Sequence, residues 1–421
     1  MALMSVLRFI MQIRPILAAL RRHKIATMLI VLQIALTLAV VSNALFIVKT
    51  RIVHLSRPTG TDEAHLFVIK NEWIGNPVAS HIDAQVQADL MTLRQLPGVR
   101  GAFASDGYPF GPGGRLARIR DRPDQTMHGQ LGLIYAADQY AIETFGISLV
   151  AGRNFRADEI GSLGPYDKFS PAVCIVTRDL ADKLFPNGLV LGKTVYLTDN
   201  SGPTKIIGIV DRLEGQYIGS TTRSIDEDSI LAPVRPANPA DVIYIVRTQP
   251  GQLTAVLHAA PAALFALNRL RMIDPEGGVM TLAEAREQGY TADRGVAIMM
   301  GVVCVMLFLA TAGGIVGLSS FWVSQRRRQI GTRRALGATR RDILRYFQIE
   351  NFLIVSGGIA LGALLGVVAN LLLLKYRELL RMPLWVLGVG AVLLWLLGQL
   401  AVLGPAWRAA AVPPVEATRA V

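Results

Sequence analysis

Four stretches of the chain hold no charged residue over the roughly 20 residues that a helix needs to cross about 30 Å of hydrocarbon. The first, 25–48, is interrupted only by Gln33, Ser42, Asn43 and two threonines. The others are 295–324, 352–374 and 384–403, and the last two are separated by only 375–383, a spacing that predicts a transmembrane hairpin. Basic residues before the first stretch resemble the start of a signal peptide. Its length exceeds the usual apolar core of one, and no small-x-small cleavage site precedes Lys49, so a retained helix is expected.

Between the first two stretches the pattern changes to short apolar runs of strand length, at 65–69, 131–135, 172–176, 194–197, 205–210 and 242–246. Helical periodicity covers 84–96, 178–185 and 254–269. Glycine and proline at 108–114 and 161–171 predict loops. Residues 281–294 are helix-compatible and lead into the second apolar stretch, so one long helix is expected there. The fold class is an α-helical membrane protein with four transmembrane helices and a large α/β or α+β extracytoplasmic domain between helices 1 and 2.

Composition agrees: 52% of the 421 residues are apolar and 18% charged, and the mean hydropathy is +0.39. The net charge of +12 is concentrated near the membrane stretches. Arg8, Arg14, Arg21, Arg22 and Lys24 lie before the first stretch, and eight arginines with one aspartate occupy 325–345. Lys and Arg in short flanks stay on the cytoplasmic side, which puts both termini inside and residues 49–292 outside. Lys375, Arg377 and Arg381 in the outer hairpin run weakly against that rule. The arginines lack interleaved base-stacking aromatics, which excludes a nucleic-acid binder.

Cys174 and Cys304 fall in the domain and in a membrane helix, so no disulfide framework is expected. Residues 187–194 resemble a phosphate-binding loop, but the first position is Asn187, not glycine, and Val195, Tyr196 and Leu197 continue as a strand where a helix is required. The six histidines have no metal-ligand spacing. No acid or base lies mid-span in any membrane helix, which argues against an ion-coupled carrier. Gly313 and Gly317, and Gly358, Gly362 and Gly366, recur every fourth residue; such stripes allow close helix packing, within the subunit or between subunits.

The most informative segment is 325–345. Ile330, Ala335, Leu336, Ile343 and Leu344 give it a patchy apolar face against the arginines; a lipid anchor is one reading. Arg-Arg-Gln-Ile-Gly-Thr-Arg-Arg-Ala-Leu-Gly-Ala-Thr at 327–339 resembles the motif of the MacB/FtsX-like permeases of ABC transporters. Leu-Val-Ala-Gly-Arg-Asn-Phe at 149–155, Ala-Val-Cys-Ile-Val-Thr at 172–177, Lys-Leu-Phe-Pro at 183–186, Gly-Lys-Thr-Val at 192–195 and Ile-Ile-Gly-Ile-Val at 206–210 resemble that family's periplasmic core domain. Pro-Ala-Trp-Arg-Ala-Ala at 405–410 and Pro-Val-Glu-Ala-Thr-Arg at 414–419 resemble its tail.

The resemblance implies an ATPase-coupling segment at 325–348 carried by Arg326, Arg327, Arg328, Ile330, Gly331, Arg333, Arg334, Ala335, Leu336, Gly337, Ala338, Arg340 and Arg341. Gln329 stands where the family commonly has an acid. It also implies a MacB-like core at 49–292 with a variable subdomain at about 55–130, a basic N-terminal segment at 1–24 and a cytoplasmic tail at 404–421. No cofactor is expected on this chain. With no complete phosphate loop and little sequence ahead of the first helix, ATP and Mg are expected in a separate cytoplasmic ABC ATPase. The implied function is transmission of ATP-driven motion across a bacterial inner membrane to export a small molecule or peptide. Further implied partners are a second permease copy or paralogue, membrane lipid, a periplasmic adaptor and an outer-membrane channel. Lipoprotein release and control of a cell-wall hydrolase are the alternatives.

Overall fold

The computed structural model describes residues 24–411 apart from 56, 76, 112, 123–128, 187, 199–200, 217–224, 241 and 378–381, and omits the side chains of 51, 54, 55, 293, 328 and 373–377. The basic segment 1–23 and the tail motif at 414–419 lie outside the described residues. The chain divides into two compact units, one of residues 1–56 with 294–421 and one of Arg57–Asp293. Helix α1 (Lys24–Leu55) opens the first unit.

The second unit is an α/β domain with two sheets. Its first elements are β1 (Leu66–Trp73), α2 (Ala79–Gln95), β2 (Val99–Ser105), β3 (Arg115–Ile119), β4 (Gln130–Ala137), α3 (Ala141–Phe145), β5 (Leu149–Gly152) and β6 (Gly161–Leu163). There follow β7 (Val173–Thr177), α4 (Arg178–Leu184), β8 (Thr194–Val195), β9 (Thr204–Val210), β10 (Ser229–Pro236), β11 (Val242–Thr248), α5 (Leu253–Leu267), β12 (Arg271–Met272) and β13 (Val279–Thr281). The smaller sheet has the order β12-β1-β11-β2, with β13 also on β1; the larger has the order β3-β4-β10-β7-β9-β5, with β6 on β10 and β8 on β9.

This topology corrects the expected division at 55–130. Residues 66–105 pair with 242–281 in the smaller sheet, whereas 115–119 belong to the larger one, so 55–130 is no unit of its own. The larger sheet is an insertion between the halves of the smaller. The physical reason is that β1 is hydrogen-bonded along six residues to β11, far along the chain. The loop expected at 161–171 also contains β6, paired with Val234, Arg235 and Pro236. Thr194 enters β8 and pairs with Lys205, so no helix follows the Lys193-Thr194 pair.

Helices α2 and α5 cover one face of the smaller sheet. Ile82, Val86, Leu90 and Leu93, spaced at helical repeats, and Val256, Ala260 and Leu264 pack on Phe67, Ile69, Ala102, Tyr244 and Val246. Asp89 is buried among them. Its carboxylate takes two guanidinium bonds from Arg271 at 2.9 and 3.0 Å and the hydroxyl proton of Tyr244, so the charge is paired rather than stranded. The larger sheet has its own core around Ile134, Cys174, Val176, Leu180, Ile206 and Ile230.

Three long helices and one short one follow the domain in sequence: α6 (Leu282–Gln325), the short α7 (Arg327–Ala335), α8 (Arg340–Arg377) and α9 (Leu384–Ala411). The long helix expected through 281–294 is present as α6. Four spans within α1, α6, α8 and α9 are long and apolar enough to cross a membrane. In the membrane unit α8 lies against α1, with Ile30, Ile34, Leu38, Ile315, Val355 and Leu394 at the common core. Polar contacts pin α1 to α6: the Gln33 amide donates to the Ala310 carbonyl at 3.0 Å, and the Thr37 and Thr311 hydroxyls lie 2.9 Å apart.

Candidate functional site

The arginine segment folds as helix, tight turn and helix, not as one amphipathic helix. The nine-residue α7 ends because Gly337 adopts a left-handed φ of 98°. The Gly337 N–H donates to the Arg334 carbonyl at 3.1 Å and the Ala338 N–H to the Arg333 carbonyl at 3.0 Å, the two bonds of a Schellman cap. Thr339 then starts α8. Its hydroxyl accepts from the Asp342 N–H at 3.3 Å, and the Asp342 carboxylate accepts from the Thr339 N–H at 2.9 Å, a reciprocal capping box. Backbone bonds thus close one end of the four-residue turn and a side-chain capping box the other.

One side of this element is anchored. Ile330 is 5% exposed and packs with Ile343 and Phe347 of α8, Ala406, Ala409 and Ala410 of α9, and Val323. Arg326, the N-cap of α7, pairs with Glu350 of α8 at 2.9 and 3.0 Å and lies 5.6 Å from the Trp322 ring centroid. The Arg334 guanidinium donates to the Ala410 carbonyl at 3.1 Å, where a cation also meets the negative end of the α9 dipole. Arg333 lies over Tyr346 at 4.8 Å.

The other side is open. Leu336 at the turn is 83% exposed; Arg327 at the start of α7, and Arg340 and Arg341 just after the turn, are exposed with no ion pair among the described residues. The thirteen residues singled out from the sequence therefore divide. Arg326, Ile330, Gly331, Arg334 and Ala338 hold the segment, Arg333 is exposed but lies over Tyr346, and Arg327, Ala335, Leu336, Gly337, Arg340 and Arg341 face outward. The side chain of Arg328 lies outside the described residues.

The glycine stripes divide as well. A Cβ at Gly358 or Gly362 would sit 2.7 Å from Ile34 Cβ or the Ala35 carbonyl oxygen, so that stripe serves packing of α8 on α1 within the chain. Gly366 lies against Leu387 and Ala39. Gly313 and Gly317 have no neighbour within 4 Å of such a Cβ; it is Gly314 that meets α1, through Gln33. The α6 span is the least covered of the four, with 11% of its apolar window buried against 28–39% in the others.

Sequence reasoning missed Glu350, the partner of Arg326, and the capping role of Thr339 and Asp342. A carboxylate just ahead of the third apolar stretch and the Thr-x-x-Asp spacing were available signals. No three His, Cys, Asp or Glu side chains form a metal-binding group among the described residues.

Comparison with known proteins follows this geometry. Residues 25–263 match the family described as MacB-like periplasmic core domain, and residues 301–414 match that described as FtsX-like permease C-terminal. The chain is 24% identical over 303 residues to the "Uncharacterized ABC transporter permease YvrN" of Bacillus subtilis (strain 168), across 68% of this chain and 69% of that protein. It is 28% identical over 284 residues to the "Macrolide export ATP-binding/permease protein MacB" of Chlorobium luteolum, across 64% of this chain but only 40% of the relative. A second MacB relative, of Chromobacterium violaceum, is likewise covered over 48% of its length. Among solved structures, the extracellular domain of the noncanonic ABC-type transporter YknZ from Gram-positive bacteria aligns at 15% identity with a TM-score of 0.31, over 49% of this chain and 99% of that one.

Proposed function

Because the chain belongs to the MacB/FtsX-like permease family of ABC transporters, we propose that it is the membrane subunit through which a separate cytoplasmic ABC ATPase moves the α/β domain on the far side of a bacterial inner membrane. The observation that carries this reading is the capped turn at 336–339. It presents an exposed leucine followed at once by the exposed Arg340 and Arg341, while Ile330 and the Arg326–Glu350 pair key α7 to the membrane helices. An apolar knob next to basic side chains suits a pocket with an acidic rim, where burial supplies affinity and charge supplies orientation.

A push on a turn with both ends capped passes into α8 and, through Arg334 and Ala410, into α9. ATP and Mg belong to the ATPase partner in this reading. The uncovered α6 face with Gly313 and Gly317 meets a second copy of the permease. The transported class is a small molecule or peptide handed to a periplasmic adaptor and an outer-membrane channel.

The test is co-purification of the tagged chain with the ABC ATPase encoded beside it. Arg340→Glu/Arg341→Glu and, separately, Leu336→Glu change outward-facing residues and leave Arg333 on Tyr346 and Arg334, which holds the end of α9, intact. Loss of the ATPase from both folded variants is expected. Retention in both, or no ATPase with the wild type, sinks the docking surface.

A further inference from the structure

The domain is joined covalently to the rest of the chain at two places, 56/57 and 293/294. Near those junctions one side chain fastens the two passages together. Arg286, on the first turns of α6, donates to both carboxylate oxygens of Glu63 at 2.9 and 3.0 Å and to the backbone carbonyl of Arg57 at 2.9 Å. Its guanidinium lies 5.7 Å from the ring centroid of Phe110 and 5.9 Å from that of Tyr290 on α6, and those rings are 5.7 Å apart.

The segment that Arg286 grips is firmly seated in the domain. Thr59 is 3% exposed, donates its hydroxyl to Glu63 and accepts the Glu214 N–H at 3.1 Å. Gly60 has a φ of 83°, and a Cβ there would come within 2.3 Å of the Arg212 carbonyl oxygen, so the chain passes close against the backbone after β9 at that point. Arg212 reaches the Pro58 carbonyl at 3.3 Å, and Arg57 and Arg212 both approach Glu227, at 3.4 and 3.6 Å.

The helix side is seated equally well. α6 begins directly after β13 with a Thr281–Glu284 capping box, and Leu282, Ala285 and Tyr290 are buried. Phe110, at a φ of 70°, donates its N–H to the Gly215 carbonyl at 3.1 Å and so ties the glycine-rich loop into the same joint.

We propose that Arg286 is a positioning residue that makes the two covalent passages into the domain move as one joint, so that a displacement of α6 is delivered to the sheets instead of being lost between independent tethers. The proposal rests on the transmission function above and specifies where the motion enters the domain. The physical basis is that Arg286 Nη1 reaches both Glu63 oxygens while Nη2 reaches a main-chain carbonyl, so one planar, charged guanidinium is held at two points, and the bond to the carbonyl bypasses side-chain flexibility. With Glu63 20% and Arg286 25% exposed, the pair is partly shielded from solvent screening.

The experiment is hydrogen exchange on the full-length permease with its ATPase in lipid nanodiscs, with and without ADP-vanadate. Wild type is compared with Glu63→Gln, Arg286→Gln and the charge-swapped Glu63→Arg/Arg286→Glu. The wild type is expected to show a nucleotide-dependent change in exchange in β1, β11 and β13. Both single variants are expected to lose that change while keeping ATP hydrolysis and nucleotide-free core exchange, and the swap, which restores the ion pair but not the bond to the Arg57 carbonyl, is expected to regain part of it. Single variants that keep the wild-type response overturn the proposal and leave the transmission reading standing. Faster core exchange without nucleotide makes the pair a structural support and also overturns it. A wild type that shows no nucleotide-dependent change in the domain removes the transmission reading itself.

Discussion

Replacing Glu350 by glutamine tests what holds the arginine segment in place. Glu350 is 2% exposed and its partner Arg326 11% by side chain. Removing one member of a buried pair costs about 3–5 kcal/mol, because the remaining charge is stranded. The residual access of Arg326 to water favours the lower end, about 3 kcal/mol. The Trp322 face at 5.6 Å returns only about 0.5 kcal/mol. At a factor of ten for every 1.4 kcal/mol or so, the docked state of α7 loses about 100-fold in population relative to the released one. A nine-residue helix is too short to persist alone, so release should melt it. Hydrogen exchange of the Ile330–Leu336 amides in the full-length protein in nanodiscs should therefore accelerate by about two orders of magnitude in Glu350→Gln. The double variant Arg326→Met/Glu350→Leu, which removes both charges, should recover most of the protection. The competing anchor is Ile330, whose truncation to alanine costs about 2–5 kcal/mol in a filled core. If Glu350→Gln leaves α7 exchange within about threefold of wild type while Ile330→Ala abolishes protection, the apolar contact alone positions the segment and the reasoning from the ion pair is wrong.

Gly362→Val places a Cβ 2.7 Å from the Ala35 carbonyl oxygen and 2.9 Å from Ala35 Cα, backbone atoms that cannot turn aside, so it should lower thermal stability in detergent by about 1–3 kcal/mol. Gly313→Val, with nothing within 4 Å, should leave the single chain as stable as wild type and weaken only cross-linking between copies; equal destabilisation by both would contradict the packing described. Burial, with Asp226 and Glu227 nearby, pushes the Glu214 carboxyl from 4.5 up to about 8, against the counter-pull of Arg57 and Arg286. The folded domain then keeps a proton that the unfolded chain releases, so this contribution to stability is full below pH 4.5 and is lost as pH rises towards 8, at up to about 1.4 kcal/mol per pH unit. Urea unfolding of residues 57–293 at pH 6 and pH 8 should show a smaller difference in Glu214→Gln than in wild type, and identical pH dependence would refute the protonated assignment.

The membrane helices were legible because an uncharged run of some 20 residues has few other solutions. The start of α8 at Arg340 was not, because Arg340, Arg341, Asp342, Arg345 and Glu350 break that criterion while belonging to the same helix. The better signal there was periodicity: Ile343, Phe347 and Ile354 lie on one buried face with Glu350 among them. Gly337 and Thr339 could have been read as a helix stop and start, but a long basic run invites one continuous amphipathic helix. The family motif located the segment, while its division into holding and outward-facing residues needed coordinates.

The domain shows the complementary case, in which local preference was overruled by neighbours. β2 is Val-Arg-Gly-Ala-Phe-Ala-Ser, poor in β-branched residues, yet it lies beside β11. A Cβ on Gly101 would approach Thr144 Oγ1 to 2.8 Å, so the close pass of α3 demands the small residue that weakens the strand pattern. β10 carries Pro233 and Pro236, which argue against an inner strand. Pro233 falls between the residues paired with β7 and those paired with β6, where a missing N–H costs least. The same reasoning bears on Arg286. Nothing in its local sequence separates it from any surface arginine at the start of a helix, because its meaning comes from Glu63 and the Arg57 carbonyl, over two hundred positions away. A residue that joins two distant passages of the chain is visible only where those passages meet, and the Glu63/Arg286 charge swap tests the joint at that meeting point.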